Sequence, residues 1–92
     1  MNSYLVVGTG VSGVAAVSLL QKSNASVCVF DGNDTLDEAG LILKHPQLEG
    51  VAIYLGELPE EAYDDFDTVI LSPGVPVDSP LVESLKARGK RI

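Results

Sequence analysis

The glycine-rich segment Gly8-Thr9-Gly10-Val11-Ser12-Gly13 follows directly on the apolar run Tyr4-Leu5-Val6-Val7. A strand that ends in three spaced glycines and continues into a helix is typical of a phosphate-binding turn. Gly8 permits the tight turn, Gly10 lets a phosphate approach the backbone, and Gly13 lets the helix pack closely on the sheet. Glycines also occupy ordinary turns, but here the strand before and the helix after both favour the binding turn, in which helix N–H groups face the anion.

Length and charge restrict the function classes. The 92 residues suffice for one small domain, 1–92, and are too few for a two-domain enzyme. Six basic against thirteen acidic residues give a net charge of −7, which argues against nucleic acid or an anionic membrane as partner. The one cysteine, Cys28, excludes an intrachain disulfide and predicts a reducing compartment, the cytoplasm. No apolar run is long enough for a signal peptide or a membrane span.

Apolar runs and turn residues predict alternating strands and helices. Strands are expected at Tyr4–Val7, Ser26–Asp31, Val51–Leu55 and Thr68–Leu71, with a fifth opening at Lys90–Ile92. Helices are expected at 11–23, from a cap at Asp34 to about Lys44, and from Ser79 and Pro80 to Gly89, with a loop or short helix over 56–67. This order predicts an α/β, Rossmann-like, doubly wound parallel sheet of five strands in the order 3-2-1-4-5.

In such a sheet the chain reverses direction between strands 1 and 4, and ligands bind there, beyond the carboxyl ends of the strands. The turn Gly8–Gly13 and the turn that contains Ser72, Pro73 and Gly74 both follow strands at this point. We therefore expect the two turns to face each other across one crevice.

Asp31 ends strand 2 at the same edge of the sheet, where an acid can accept hydrogen bonds from the ribose or base of a nucleotide. Its alternative role is that of a turn former beside Gly32 and Asn33. Ser12 is the hydroxyl expected to donate to a phosphate oxygen, although it could instead bond the first turn of its own helix.

No catalytic group is predicted. The only histidine, His45, precedes Pro46 in a loop away from the crevice. The six acids of 56–67 have no metal-ligand spacing and are interpreted as a solvated surface.

Three segments together resemble the amino-terminal domain of the Mur ligases. They are Gly8-Thr9-Gly10-Val11-Ser12-Gly13-Val14-Ala15-Ala16, Val29-Phe30-Asp31 and Leu71-Ser72-Pro73-Gly74-Val75-Pro76. The branch of the family that adds D-glutamate is the most similar, because the L-alanine-adding branch has a longer glycine turn with an extra Gly and a Met. The resemblance implies that Val11 and Ser12 meet a diphosphate, Asp31 and Gly32 a uracil, and Ser72, Pro73 and Gly74 the region of the diphosphate and sugar.

The family uses ATP and Mg²⁺ to join an amino acid to a UDP-linked peptidoglycan precursor. The resemblance therefore implies that this domain binds the UDP end of UDP-N-acetylmuramoyl-L-alanine, holds no cofactor itself, and is inactive without the central ATPase and carboxyl-terminal domains. Family members often carry a polar residue where this chain has Gly32, so Asn33 is expected to replace that uracil contact or the contact is lost. Two alternatives stay open: an NAD-binding domain of an oxidoreductase or regulatory protein, and an interaction module with a vestigial site.

Overall fold

The computed structural model describes residues 3–76 and 78–92. Over these residues four parallel strands form one sheet: β1 (Ser3–Val7), β2 (Ser26–Asp31), β3 (Ala52–Leu55) and β4 (Thr68–Leu71), in the order β3-β2-β1-β4. The α-helices are α1 (Val11–Lys22), α2 (Glu38–Lys44) and α3 (Pro80–Ala87), with 3₁₀ helices at Pro46–Leu48 and Glu60–Asp65. The prediction of a parallel α/β fold is confirmed.

The central strands β1 and β2 are covered on both faces, which explains their nearly unbroken apolar sequences. Alternate residues of β1 point to opposite sides, so Leu5 and Val7 join one buried cluster and Val6 the other. The first cluster includes Leu85 of α3, and the second includes Val17 of α1. The sheet thus lies between two apolar layers, and the ends of β1, β2 and β4 emerge at one edge.

The predicted five-strand order is not confirmed. Beyond α3, one parallel bridge joins Arg91 to Thr68. The Arg91 N–H donates to the Asp67 carbonyl oxygen at 3.1 Å, and the Val69 N–H donates to the Arg91 carbonyl oxygen at 2.7 Å. The pairing has the direction and place expected of a strand beside β4, but one bridged residue does not constitute a strand.

The predicted start of α2 was wrong by three residues. Asp37, not Asp34, caps the helix, and its Oδ2 accepts a hydrogen bond from the Gly40 N–H at 2.8 Å. Upstream, Asn33 Oδ1 accepts from the N–H and the hydroxyl of Thr35, at 3.0 and 2.6 Å. This local turn competes with helix formation, so the helix begins only after it.

The boundaries of α3 are those predicted. Ser79 Oγ accepts from the Val82 N–H at 3.4 Å, Pro80 occupies the first turn, and Gly89 follows the helix with φ of +77°. A Ser cap with proline at the first helical position is a strong start signal. Within residues 3–76 and 78–92, no helix combines the length and the apolar character needed to cross a membrane.

Candidate functional site

The glycine turn leaves β1 at Gly8, whose N–H donates to the Phe30 carbonyl oxygen at 2.7 Å and whose φ is +104°. Gly10 precedes α1 in an extended conformation and provides no side-chain cap. The first N–H groups of any α-helix lack partners within the helix. Those at the start of α1 therefore stay available, beside the exposed residues Val11 and Ser12. Backbone N–H groups and the helix dipole together favour an anion here.

The structure brings the second turn against the first at Ser72. The Ser72 N–H donates to the Val7 carbonyl oxygen at 3.0 Å, and the side chain packs under the glycine turn. A Cβ built on Gly8 would lie 2.7 Å from Ser72 Oγ, and one built on Gly13 would lie 2.9 Å from it. Among the described residues, Ser72 Oγ is a buried atom with no hydrogen-bond partner. The two turns thus meet, as the topology predicts, and leave one hydroxyl unpaired between them.

A cavity of about 380 Å³ opens beside this contact, between the ends of β1 and β2 and the start of α3. Four of the predicted site residues line it: Gly8, Asp31, Gly32 and Gly74. Sequence reasoning missed the other part of the wall, which is mostly apolar: Val7, Phe30, Val75, Pro76, Ser79, Pro80 and Leu81. The order of the elements could have predicted most of these residues. The segment between the second turn and α3 must cross this edge of the sheet.

The other predicted site residues lie outside the cavity. Gly10, Val11 and Ser12 are exposed on the adjoining turn, and Pro73 is exposed at the second turn. Gly13 is buried in the contact with Ser72. The candidate site therefore consists of a mostly apolar cavity and the adjoining glycine turn with its N–H groups. Gly8 belongs to both.

The Asp31 carboxylate is bonded to the glycine turn. Its Oδ2 accepts from the N–H of Thr9 at 3.0 Å and from the Thr9 hydroxyl at 2.7 Å, while Oδ1 accepts from the Asn33 N–H at 2.9 Å. Partial burial raises the pKa of Asp31, but the hydrogen bonds from Thr9 and Asn33 outweigh it, so the pKa lies below its usual value. Both the expected turn-forming role and an acid facing the cavity are present. The partner Thr9 was not predicted.

Protonation of Asp31 is expected to weaken the fold in acid. Because the pKa of Asp31 is lower in the folded chain, its contribution to the free energy of unfolding is complete above the unfolded value of about 4. That contribution is lost as pH falls through the folded pKa. Urea denaturation of the wild type and of Asp31→Asn between about pH 7 and about pH 3 measures it. The difference between the two chains should shrink toward the acid end, and a constant difference contradicts the prediction.

The remaining reactive side chains lie elsewhere. His45 follows α2, away from the cavity lining. Burial, with a smaller effect from Asp65, raises the pKa of Cys28 to about 11, so this thiol stays protonated and is a poor nucleophile. Over the described part of the chain, no group of three or more His, Cys, Asp or Glu side chains is placed to hold a metal ion. The geometry suits an anion at the start of α1 and a flat or apolar group in the cavity.

Comparison with known proteins gives a family match and several similar proteins. Residues 2–92 match the family model described as "Mur ligase MurD-like, N-terminal domain". Three relatives bear the name UDP-N-acetylmuramoylalanine--D-glutamate ligase. The protein from Lachnospira eligens is 40% identical over 87 residues, covering 95% of this chain and 19% of that protein. The one from Alkaliphilus metalliredigens is 39% identical over 92 residues, with coverage of 96% and 20%.

The third, from Koribacter versatilis, is 38% identical over 87 residues, which cover 92% of this chain and 18% of that protein. The chain therefore spans about a fifth of the length of the curated relatives that it matches.

Proposed function

Because the chain belongs to the MurD-like N-terminal domain family of the Mur ligases, we propose that it binds the UDP end of UDP-N-acetylmuramoyl-L-alanine for a ligase that adds D-glutamate. The observation that carries the proposal is the contact of the Ser72 turn with the glycine turn beside one cavity. This contact places the N–H groups of a helix start next to a mostly apolar pocket. A diphosphate joined to a nucleoside has the same two parts.

The dimensions and polarity of the cavity support a nucleoside as the occupant. About 380 Å³ lies within the range of small-molecule pockets, which are mostly apolar with a few placed polar groups. Phe30 and Leu81 contribute apolar surface, and Asp31 and Ser79 contribute polar atoms. None of the described residues that line this cavity is a lysine or an arginine, so we expect backbone dipoles to hold the diphosphate.

The residue roles implied by the family remain part of the proposal. Val11 and Ser12 meet the diphosphate on the turn that Gly8, Gly10 and Gly13 form, Asp31 and Gly32 meet the uracil, and Ser72, Pro73 and Gly74 form the wall near the diphosphate and sugar. The exposure of Gly10, Val11 and Ser12 supports the first group, and the cavity lining supports Asp31, Gly32 and Gly74. The proposed role of Ser72 does not have this support, because its hydroxyl is buried beneath the glycine turn.

The alternative of an NAD-binding domain is not supported, since the relatives named above are ligases. The hydrogen bonds of Asp31 point the same way. A carboxylate has about four acceptor positions. Within residues 3–76 and 78–92, Thr9 and Asn33 use three of them and leave one for a ligand. The two neighbouring hydroxyls of an adenosine ribose would need two.

The proposal for the whole protein goes beyond these 92 residues. ATP and Mg²⁺, the central ATPase domain and the carboxyl-terminal domain would supply the reaction in the cytoplasm, with 1–92 as the substrate-binding domain. The sequence contains no G-x-x-x-x-G-K-[ST] segment, so ATP is expected to bind outside 1–92. The bridge at Arg91 supports the further proposal that Lys90–Ile92 begins a fifth strand beside β4.

Parallel NMR titrations of the chain with UDP and with NADH test the proposal. Saturable amide shifts with UDP are expected at 10–13 and around Asp31 and Gly74, with none from NADH at equal concentration. Combining Ser12→Ala with Gly74→Val should weaken UDP binding, because a phosphate donor is lost and a side chain enters the cavity wall. Binding of NADH without a response to UDP, or unchanged UDP binding by the double variant, would overturn the assignment. Leu43→Ala, on the exposed face of α2, is the matched control.

A further inference from the structure

Thr9 is the second residue of the glycine turn, yet it faces inward. Only 8% of its surface is exposed, and it is buried beside exposed Gly10. Its N–H and its hydroxyl both donate to the same oxygen, Asp31 Oδ2, at 3.0 and 2.7 Å. Two donors from one residue to one carboxylate oxygen fix both the backbone and the side chain of Thr9.

The position of this pair matters for the turn. Thr9 lies between Gly8, which is held by the Phe30 carbonyl oxygen, and Gly10, the last residue before α1. Both tethers come from the end of β2, because the sheet register pairs Val7 with Phe30. The path from β1 into α1 is therefore held at two successive residues. The Asn33 N–H holds the carboxylate from its other side.

We propose that Thr9 is a positioning residue, which with Asp31 forms a clip that sets the glycine turn in its anion-binding shape before the ligand arrives. The proposal rests on the function proposed above. It assigns Asp31 a second role: Oδ2 is committed to the turn, and only Oδ1 faces a ligand. A turn that is already ordered pays less conformational entropy when the diphosphate binds.

Thr9→Val tests the clip, because valine keeps the shape and removes the hydroxyl. Losing a hydrogen bond to a charged acceptor should shift the free-state amide resonances of 10–13 and weaken UDP binding about tenfold. Thr9→Ser keeps the hydroxyl and should restore both the resonances and the affinity to within about twofold. Thr9→Val that binds UDP as the wild type does would overturn the proposal. So would Thr9→Ser that binds as weakly as Thr9→Val.

A measurement on the wild type keeps the proposal falsifiable if Thr9→Val does not fold. The clip predicts that the Thr9 amide resonance stays in place when UDP saturates the chain, while the amides of 10–13 move. A Thr9 shift as large as theirs would mean that Asp31 releases Thr9 to take the ligand, and would contradict the clip. Failure of the wild type to bind UDP would instead contradict the proposed function. In that case the free-state amide resonances of 10–13 test the clip separately. Resonances in folded Thr9→Val that match those of the wild type would reject it. If Thr9→Val does not fold, the same comparison is made with Thr9→Ala.

Discussion

Replacing Gly13 by alanine is expected to destabilise the chain severely and to abolish UDP binding. An added Cβ would overlap the Gly8 carbonyl oxygen and would lie 2.9 Å from Ser72 Oγ. Because the Gly8 carbonyl group is part of the backbone held at the end of β1, α1 would have to move away from the sheet. Overpacking typically costs about 1–3 kcal/mol, and a clash with backbone is expected at the upper end of that range or beyond it. The free energy of unfolding of a domain of this size is roughly 5–14 kcal/mol in total. Urea denaturation followed by circular dichroism measures the loss.

Gly10→Ala is the matched control for Gly13→Ala. A Cβ on Gly10 meets nothing within 4 Å, and its φ of −72° suits alanine. Its free energy of unfolding should therefore stay within about 0.5 kcal/mol of the wild type. UDP binding should still weaken, because the methyl group lies where the phosphate approaches the backbone. If Gly13→Ala proved as stable as Gly10→Ala, the close packing of the two turns would be wrong.

The strands and the two turns could be predicted because their signals are local. The apolar run before Gly8 and the run before Ser72 each end in residues that only a turn accommodates well, and parallel topology then brings both turns to one edge. The cap at Ser79 was equally local, because the cap and the following proline are adjacent in sequence.

Other features depend on register and on competition between similar residues, which a single sequence does not resolve. The bond from Thr9 to Asp31 requires the β1–β2 register that the structure defines. The start of α2 depends on whether Asp34 or Asp37 caps the helix, and the turn at Asn33 favours Asp37. The unpaired hydroxyl of Ser72 follows from exact packing distances between two separate turns. Burial of this kind arises only in the assembled fold.

Part of the cavity wall belongs to α3, and contacts outside the cavity hold that helix in place. Ser79, Pro80 and Leu81 line the cavity at the amino-terminal end of α3. One turn further along, Leu85 is fully buried in the same apolar cluster as Phe30, a residue of the opposite wall. At the carboxyl-terminal end Arg88 lies over the Tyr63 ring, 3.9 Å from its centroid, and pairs with exposed Glu60. The core contact is expected to dominate, since exposed ion pairs contribute little.

Leu85→Ala is therefore expected to lower the free energy of unfolding by about 3 kcal/mol, through lost burial and the space left behind. Because the helix that carries Leu81 loses its anchor, UDP affinity should fall as well, even though Leu85 does not line the cavity. Leu43→Ala makes the same chemical change on α2 at a side chain that is 85% exposed, and should cost less than about 0.5 kcal/mol. Urea denaturation and UDP titration of both variants measure the two effects. Equal costs for the two substitutions would contradict the packing of α3, and loss of stability without loss of affinity would show that the cavity does not depend on this helix.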